Sequence, residues 1–416
     1  MDVFLTVLAT SSMDMTRFRR PFPYFSAPLL VLASLLTTGA YAQTAPVDGG
    51  AWKVDQAERP LAAGSSVQET VWSTGRPPGG PFDRIAVHRY RAKAGGAAPV
   101  ATLLYLPGTN MNGIARLTDE AHNLWVYLAN RGVEVFAIDY RTRFIPPATP
   151  PTGLASLRAW GVDAFTADIA SAAALARKES GREKLFVAGF SRGVFLAYAY
   201  AGTELDKVAG LIVLDGPFKN HAPKGQFDAA AALAKLESAG TWGTDVSGSL
   251  GWDNRQKLMD TVAANPDAPA NDAKFKTLGD QLANVLQFAW RPGGLANTQG
   301  GMSRPRELAT LLGGYDRYYP AVQDIDGRSI GDYDDDPKTP VDDKWGELKL
   351  PILLFASTGM GGDFLLNAIY SADKSGSTDV TLNVLERYGH LDVLVGEHAQ
   401  KDVFEPTIAW LKARAK

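Results

Sequence analysis

The stretch Leu185-Phe186-Val187-Ala188-Gly189-Phe190-Ser191-Arg192-Gly193-Val194-Phe195-Leu196-Ala197 limits what this chain can fold into more than any other. Its apolar opening predicts a buried strand, its centre a turn of the form Gly-x-Ser-x-Gly, and its small-residue end a helix. In that order the three pieces lift the Ser191 hydroxyl above a sheet edge, which makes it a candidate nucleophile. Gly189 and Gly193 carry no Cβ, so the tight turn and the close helix–strand approach cost less there. A second match, Gly327-Arg328-Ser329-Ile330-Gly331, follows the polar Asp324-Ile325-Asp326 and runs into Asp332-Tyr333-Asp334-Asp335-Asp336-Pro337. No apolar strand leads into it and no helix is expected after it, so it reads as a loop. An ordinary strand-end turn is the bland alternative for Ser191; the flanking strand and helix argue against it.

The chain has 416 residues, 45% of them hydrophobic and 21% charged, enough for a sizeable core. A net charge of −3 points to neither nucleic acid nor an anionic membrane surface as partner. With no cysteine, disulfides, thiolate metal sites and a cysteine nucleophile are excluded. Arg17, Arg19 and Arg20 precede a mostly apolar run at 25–36, and Ala40-Tyr41-Ala42 fits small-x-small cleavage. Residues 1–42 therefore read as a signal peptide cut near Ala42, with Met13 or Met15 as alternative starts. The apolar run is short for a membrane span. An exported protein of a bacterium-like source follows, periplasmic or extracellular.

Residues 43–80, rich in Gly, Pro, Ser and Ala, are expected to be a loosely held N-terminal extension. Residues 85–91 alternate like an edge strand. Apolar runs at 100–106, 133–140, 185–190, 208–214, 350–356 and 380–385 predict further strands, and 124–130, 160–178 and 403–413 predict helices. Asp163 and Asp168 are expected outward or capping. Strands alternating with helices give βαβ units and a parallel sheet covered on both faces. The rhythm breaks at 218–346, where helical pieces at 227–236, 275–290 and 306–312 are separated by Gly/Pro/Asp-rich joints. That segment reads as a cap inserted into a single core made of 81–217 and 347–416.

A serine hydroxyl needs a base to take its proton and a third group to hold that base. Of His88, His122, His221, His390 and His398, only His390 lies in a loop between the last strand and the last helix, on the edge that carries the turn. For the acid, Asp215 ends the strand after the elbow helix and Asp363 follows the next one. Asp215 is placed ahead of Asp363, Asp392 remains as a third choice, and the choice stays open. Oxyanion donors are expected from the backbone N–H of Arg192 and of Thr109 or Asn110 in the loop after the strand ending at Leu106. The acidic run 324–343 has some flavour of a calcium loop but lacks the ligand spacing, so it reads as a solvated loop. No metal or cofactor is expected. Aromatic residues of the insertion, among them Trp242, Trp252, Tyr315, Tyr318 and Tyr319, are read as a mixture of pocket lining and subdomain core.

From about residue 100 to the C-terminus the chain resembles the α/β-hydrolases. The resemblance rests on the elbow at Ser191, on Pro107-Gly108-Thr109-Asn110 and on Gly389-His390, and 122–132 is similar to lipase and esterase relatives. Where relatives often have His-Gly at the start of the oxyanion loop, this chain has Pro107-Gly108. The resemblance implies a mostly parallel central sheet flanked by helices, with a mainly helical cap after the sixth strand of the usual eight. It also implies acyl transfer to water through a serine ester, on a small-molecule ester. An amidase or peptidase with the same triad is the alternative, and a non-catalytic binding protein on this fold the remoter one.

Overall fold

Runs such as Ala101–Leu106 and Leu185–Phe190 are mostly apolar and buried at every position, as strands covered on both faces are. The computed structural model describes residues 50–93, 99–222, 227–270, 272–282, 303–332 and 341–415. The expected signal peptide and the second half of the helix expected at 275–290 lie outside these residues. Numbered along the chain, the strands are β1 (Lys53–Pro60), β2 (Val67–Gly75), β3 (Arg84–Ala92), β4 (Ala101–Leu106), β5 (Val133–Asp139), β6 (Leu185–Phe190), β7 (Val208–Leu214), β8 (Gly243–Asp245), β9 (Tyr318–Pro320), β10 (Ile352–Ser357) and β11 (Val380–Leu385). Nine of them form one sheet in the order β1-β2-β3-β5-β4-β6-β7-β10-β11. From β5 to β11 every neighbour is parallel, while β1, β2 and β3 enter antiparallel. This is an α/β-hydrolase fold.

The two-residue period of the strands splits the core between the two faces. Leu104, Leu106, Val187 and Val213 pack with Phe165 and Ile169 of α2 (Val162–Ser180) and with α3 (Arg192–Thr203). Leu103, Tyr105, Phe186 and Ile212 face the other way, onto α1 (Leu124–Ala129) and Trp410 of the C-terminal helix Glu405–Arg414. α1 starts where the Asn123 side chain accepts the Trp125 and Val126 N–H groups, an Asx cap that fits the lack of any earlier apolar repeat.

The insertion leaves the sheet after β7, which is seventh along the chain because β1 and β2 precede β3. It carries α4 (Ala229–Ala239), α5 (Trp252–Ala264), α6 (Pro305–Gly313) and α7 (Ala321–Asp332), together with an antiparallel pairing of β8 and β9 that sequence reading did not anticipate. Trp242, Tyr315, Tyr318 and Tyr319 are all buried. Near its two ends, Lys219 and Asp342 form an ion pair with both side chains at most 2% exposed.

Several expectations need correction. The extension at 43–80 contains β1 and β2; Gly64-Ser65-Ser66 lies in the hairpin turn between them, and β2 is almost wholly buried. The strand at 85–91 is internal, not an edge, because β2 pairs with it on one side and β5 on the other. Asp168 faces inward, and its carboxylate binds Arg76 at 2.7 Å and Arg141 at 2.6 Å. The second Gly-x-Ser-x-Gly match is helical, lying within α7. Nor are the acidic residues around it simply solvated: Asp326 Oδ2 accepts the Val162 N–H at 2.8 Å, at the start of α2. Among the described residues no cluster of three His, Asp or Glu could hold a metal ion, and residues 333–340 of the acidic run are not described.

Candidate active site

At the end of β6 the backbone turns so sharply that Ser191 sits at φ 55°, ψ −121°, a conformation rare for a residue with a side chain. The surroundings explain which neighbours must be glycine. A Cβ on Gly193 would lie 1.9 Å from the Leu106 carbonyl oxygen, and one on Gly189 would lie 2.3 Å from the Gly193 carbonyl oxygen. The elbow helix is thereby pressed against the end of β4. One on Gly216 would lie 2.5 Å from the Ser191 carbonyl oxygen, which brings the end of β7 equally close.

His390 follows β11 and precedes the short helix α9 (Asp392–Val395). Its ring packs on Phe190, the residue before Ser191, with centroids 4.7 Å apart, and Phe364 meets it edge-on at 5.7 Å. Nδ1 lies 2.7 Å from Asp215 Oδ2. Asp215 is fully buried, at φ 52°, and accepts both the Ser357 N–H at 2.7 Å and the Ser357 hydroxyl at 2.8 Å. A carboxylate held by those donors accepts a hydrogen bond from Nδ1–H, the tautomer that leaves Nε2 without a proton. The structure thus brings Asp215 to the imidazole. Asp363 is instead exposed in the first turn of α8 (Gly362–Asp373). Asp392 accepts the Gly389 N–H at 2.6 Å and the Ser303 hydroxyl, so it shapes the turn that carries His390.

The loop after β4 reaches the same place. A Cβ on Gly108 would lie 3.1 Å from that of Ser191, so this main chain passes directly over the serine. Among the described residues the N–H groups of Thr109, Asn110 and Arg192 donate to no protein acceptor. The Arg192 side chain reaches across to α7. It stacks on Phe195 at 4.1 Å and donates to the Gln323 carbonyl oxygen of α7, against which Gly327 leaves room. That is the packing role of the second motif match.

Sequence reasoning missed three groups. Ser357 was visible only as the last residue of a strand, and nothing in its neighbours marks it as a partner of Asp215. Asp316, in the insertion, binds the loop after β4. The third is a buried cluster beneath that loop. His88 Nδ1 lies 2.9 Å from Glu69 and Nε2 3.1 Å from Asp139, whose other oxygen accepts the Gly113 N–H at 2.7 Å. Burial alone would lower the pKa of His88, but the two carboxylates outweigh it and push it to about 9. Burial would raise Glu69, yet the His88 and Gln56 hydrogen bonds hold it below the usual carboxylate range.

A profile of the alpha/beta hydrolase family matches residues 103–405. Among solved structures, a candidate lipase from Sulfolobus solfataricus superposes with a TM-score of 0.69 at 25% identity, covering 87% of this chain and 99% of that one. A monoacylglycerol lipase from Paleococcus ferrophilus reaches 0.43 at 15% identity (79% and 99% covered), and a thermophilic esterase from Thermogutta terrifontis 0.38 at 14% (82% and 96%). No curated protein matches the chain.

Proposed function

Since the chain belongs to the alpha/beta hydrolase family, a family of hydrolases, we propose that it cleaves carboxylic esters through an acyl-enzyme on Ser191. The observation that carries this reading is the 2.7 Å contact of His390 with a buried, doubly bonded Asp215, beside an elbow that strains Ser191 upward. His390 Nε2 accepts the Ser191 proton as Oγ attacks the acyl carbon. The proton then passes to the leaving alcohol as the tetrahedral intermediate collapses. Water attacks the acyl-serine by the reverse route. The N–H groups of Arg192 and of Thr109 or Asn110 are the donors that receive the developing oxyanion.

The likeness to a candidate lipase at 25% identity supports an ester rather than an amide, and a serine at the elbow supports acyl chemistry. Turnover of p-nitrophenyl esters, lost in Ser191→Ala without a change in melting temperature, is the expected result. Cleavage of p-nitroanilides in preference to esters would move the reading to an amidase or peptidase, and failure on both to a binding protein. Residues 1–42 are read as a cleaved export signal; N-terminal sequencing of the exported protein should begin at Gln43. No helix among the described residues is long and apolar enough to cross a membrane.

A further inference from the structure

The loop after β4 has little to hold it from within. Asn110 sits at φ 61°, and among the described residues few bonds lie inside this stretch: the Met111 N–H donates to the Gly108 carbonyl oxygen at 3.0 Å and the Ile114 N–H to Asn112 Oδ1 at 3.3 Å. The core holds it at either side, through the Tyr140 hydroxyl on the Pro107 carbonyl oxygen at 3.3 Å and the Gly113 N–H on Asp139 at 2.7 Å, and its middle is held from the insertion, some two hundred residues later. The Asp316 N–H donates to the Asn110 carbonyl oxygen at 2.7 Å, and the Asn110 side-chain amide donates back to the Asp316 carbonyl oxygen at 2.9 Å. The Asn112 amide donates to Asp316 Oδ1 at 3.0 Å and to the Gly314 carbonyl oxygen at 2.9 Å. Thr142, just after β5, donates its hydroxyl to Asp316 Oδ2 at 3.0 Å. Asp316, Asn110, Asn112 and Thr142 are all buried.

We propose that Asp316 is a positioning residue for acyl transfer, locking the cap to the oxyanion loop so that the Thr109 and Asn110 N–H groups stay aimed at the site above Ser191. The inference rests on the esterase reading. Its physical basis is that the carbonyl of Asn110 is clamped while its φ is set, which fixes the direction of its own N–H. The carboxylate contributes by pinning the Asp316 main chain to Asn112 on one side and to Thr142 in the core on the other. A buried amide and hydroxyl stripped of that acceptor would each have to find a new partner, and the loop would move to supply one. Burial first, and the Asp139 charge second, push the Asp316 carboxyl up to about 7 against the Asn112 hydrogen bond. Protonation does not break the clamp, because Oδ1 still accepts from Asn112 while the new O–H turns to the Thr142 oxygen. An asparagine side chain reproduces that arrangement; an alanine does not.

Asp316→Ala should therefore lower kcat on p-nitrophenyl esters by about 100-fold, the scale of one lost oxyanion donor, with KM changed by no more than about threefold. The affinity for an alkyl trifluoromethyl ketone, which forms the tetrahedral adduct, should fall in step with kcat. Affinity for an unreactive substrate-like alcohol should not. Asp316→Asn should restore most of both. If Asp316→Ala does not fold, Asn112→Ala cuts the same clamp from the loop side and should give the same split. A folded Asp316→Ala or Asn112→Ala with parental kcat overturns the inference while leaving the esterase reading intact, as does an Asp316→Asn as impaired as the alanine. A parental protein inert towards esters and unlabelled at Ser191 removes the reading and this inference with it.

Discussion

Ser357 illustrates how a residue removed from the proposed nucleophile would act on it. Its hydroxyl and N–H occupy both oxygens of Asp215, and those bonds hold the carboxylate against His390. Ser357→Ala removes one donor and keeps the other, so kcat should fall about tenfold at unchanged KM and unchanged melting temperature, one hydrogen bond's worth of orientation. Steady-state kinetics of the variant check this, and a parental kcat would show that the N–H alone suffices. The same residue marks a limit of sequence reading. Ser191 and His390 could be singled out because each stands at an identifiable junction of strand and helix. The choice between Asp215 and Asp363 depends on which strand end lies beside the histidine loop and how far the chain runs on before the carboxylate. A linear pattern of apolar runs carries neither.

At the scale of elements, the elbow was legible because its requirement is steric and local: two glycines, a strand before and a helix after. Gly193→Ala would place a methyl group 1.9 Å from a backbone oxygen that has nowhere to go, so strand β4 and helix α3 must separate. A loss of several kcal/mol, read as a lower urea midpoint, is expected; an unchanged midpoint would contradict the packing described. The second Gly-x-Ser-x-Gly match satisfied the same pattern and sits in a helix, its Gly327 making space for the Arg192 guanidinium. The flanking acidic residues that suggested a loop are held by partners distant in sequence, Val162 for Asp326 and Lys219 for Asp342. That last pair ties together the two ends of the insertion. Lys219→Met should cost about 3–5 kcal/mol by stranding a buried carboxylate, whereas Lys219→Met with Asp342→Leu should recover most of it. Denaturant melts of the single and double variants decide; a double variant as unstable as the single would mean the pair is not what couples the ends.

Across the whole molecule, the buried charges set how stability responds to pH. His88 is ordinary near 6.5 when unfolded and is pushed to about 9 in the fold, so the folded protein holds a proton that the unfolded chain gives up. Its stabilisation is complete below pH 6.5 and is lost as the pH rises through 9, a drop of about 3 kcal/mol. Asp316, raised from 3.8 to about 7, binds its proton more tightly folded than unfolded and so tilts stability the same way between those values. Unfolding free energies measured at pH 6.5 and pH 9 should fall with pH, and His88→Gln should flatten the slope; a rise would contradict the His88–Glu69–Asp139 cluster as described. None of this was visible in sequence, where His88 reads as one polar position in an alternating strand. The sheet order then brings Glu69 of β2 and Asp139 of β5 to either side of it. The most direct measurement of the proposed chemistry is covalent. The folded protein is treated with an alkyl fluorophosphonate and its peptides are mapped by mass. One phosphonyl group on the peptide containing Ser191, absent from Ser191→Ala and formed far more slowly in His390→Ala, is the expected result. A folded protein that takes up no label, or takes it up elsewhere, would show that Ser191 is not the nucleophile.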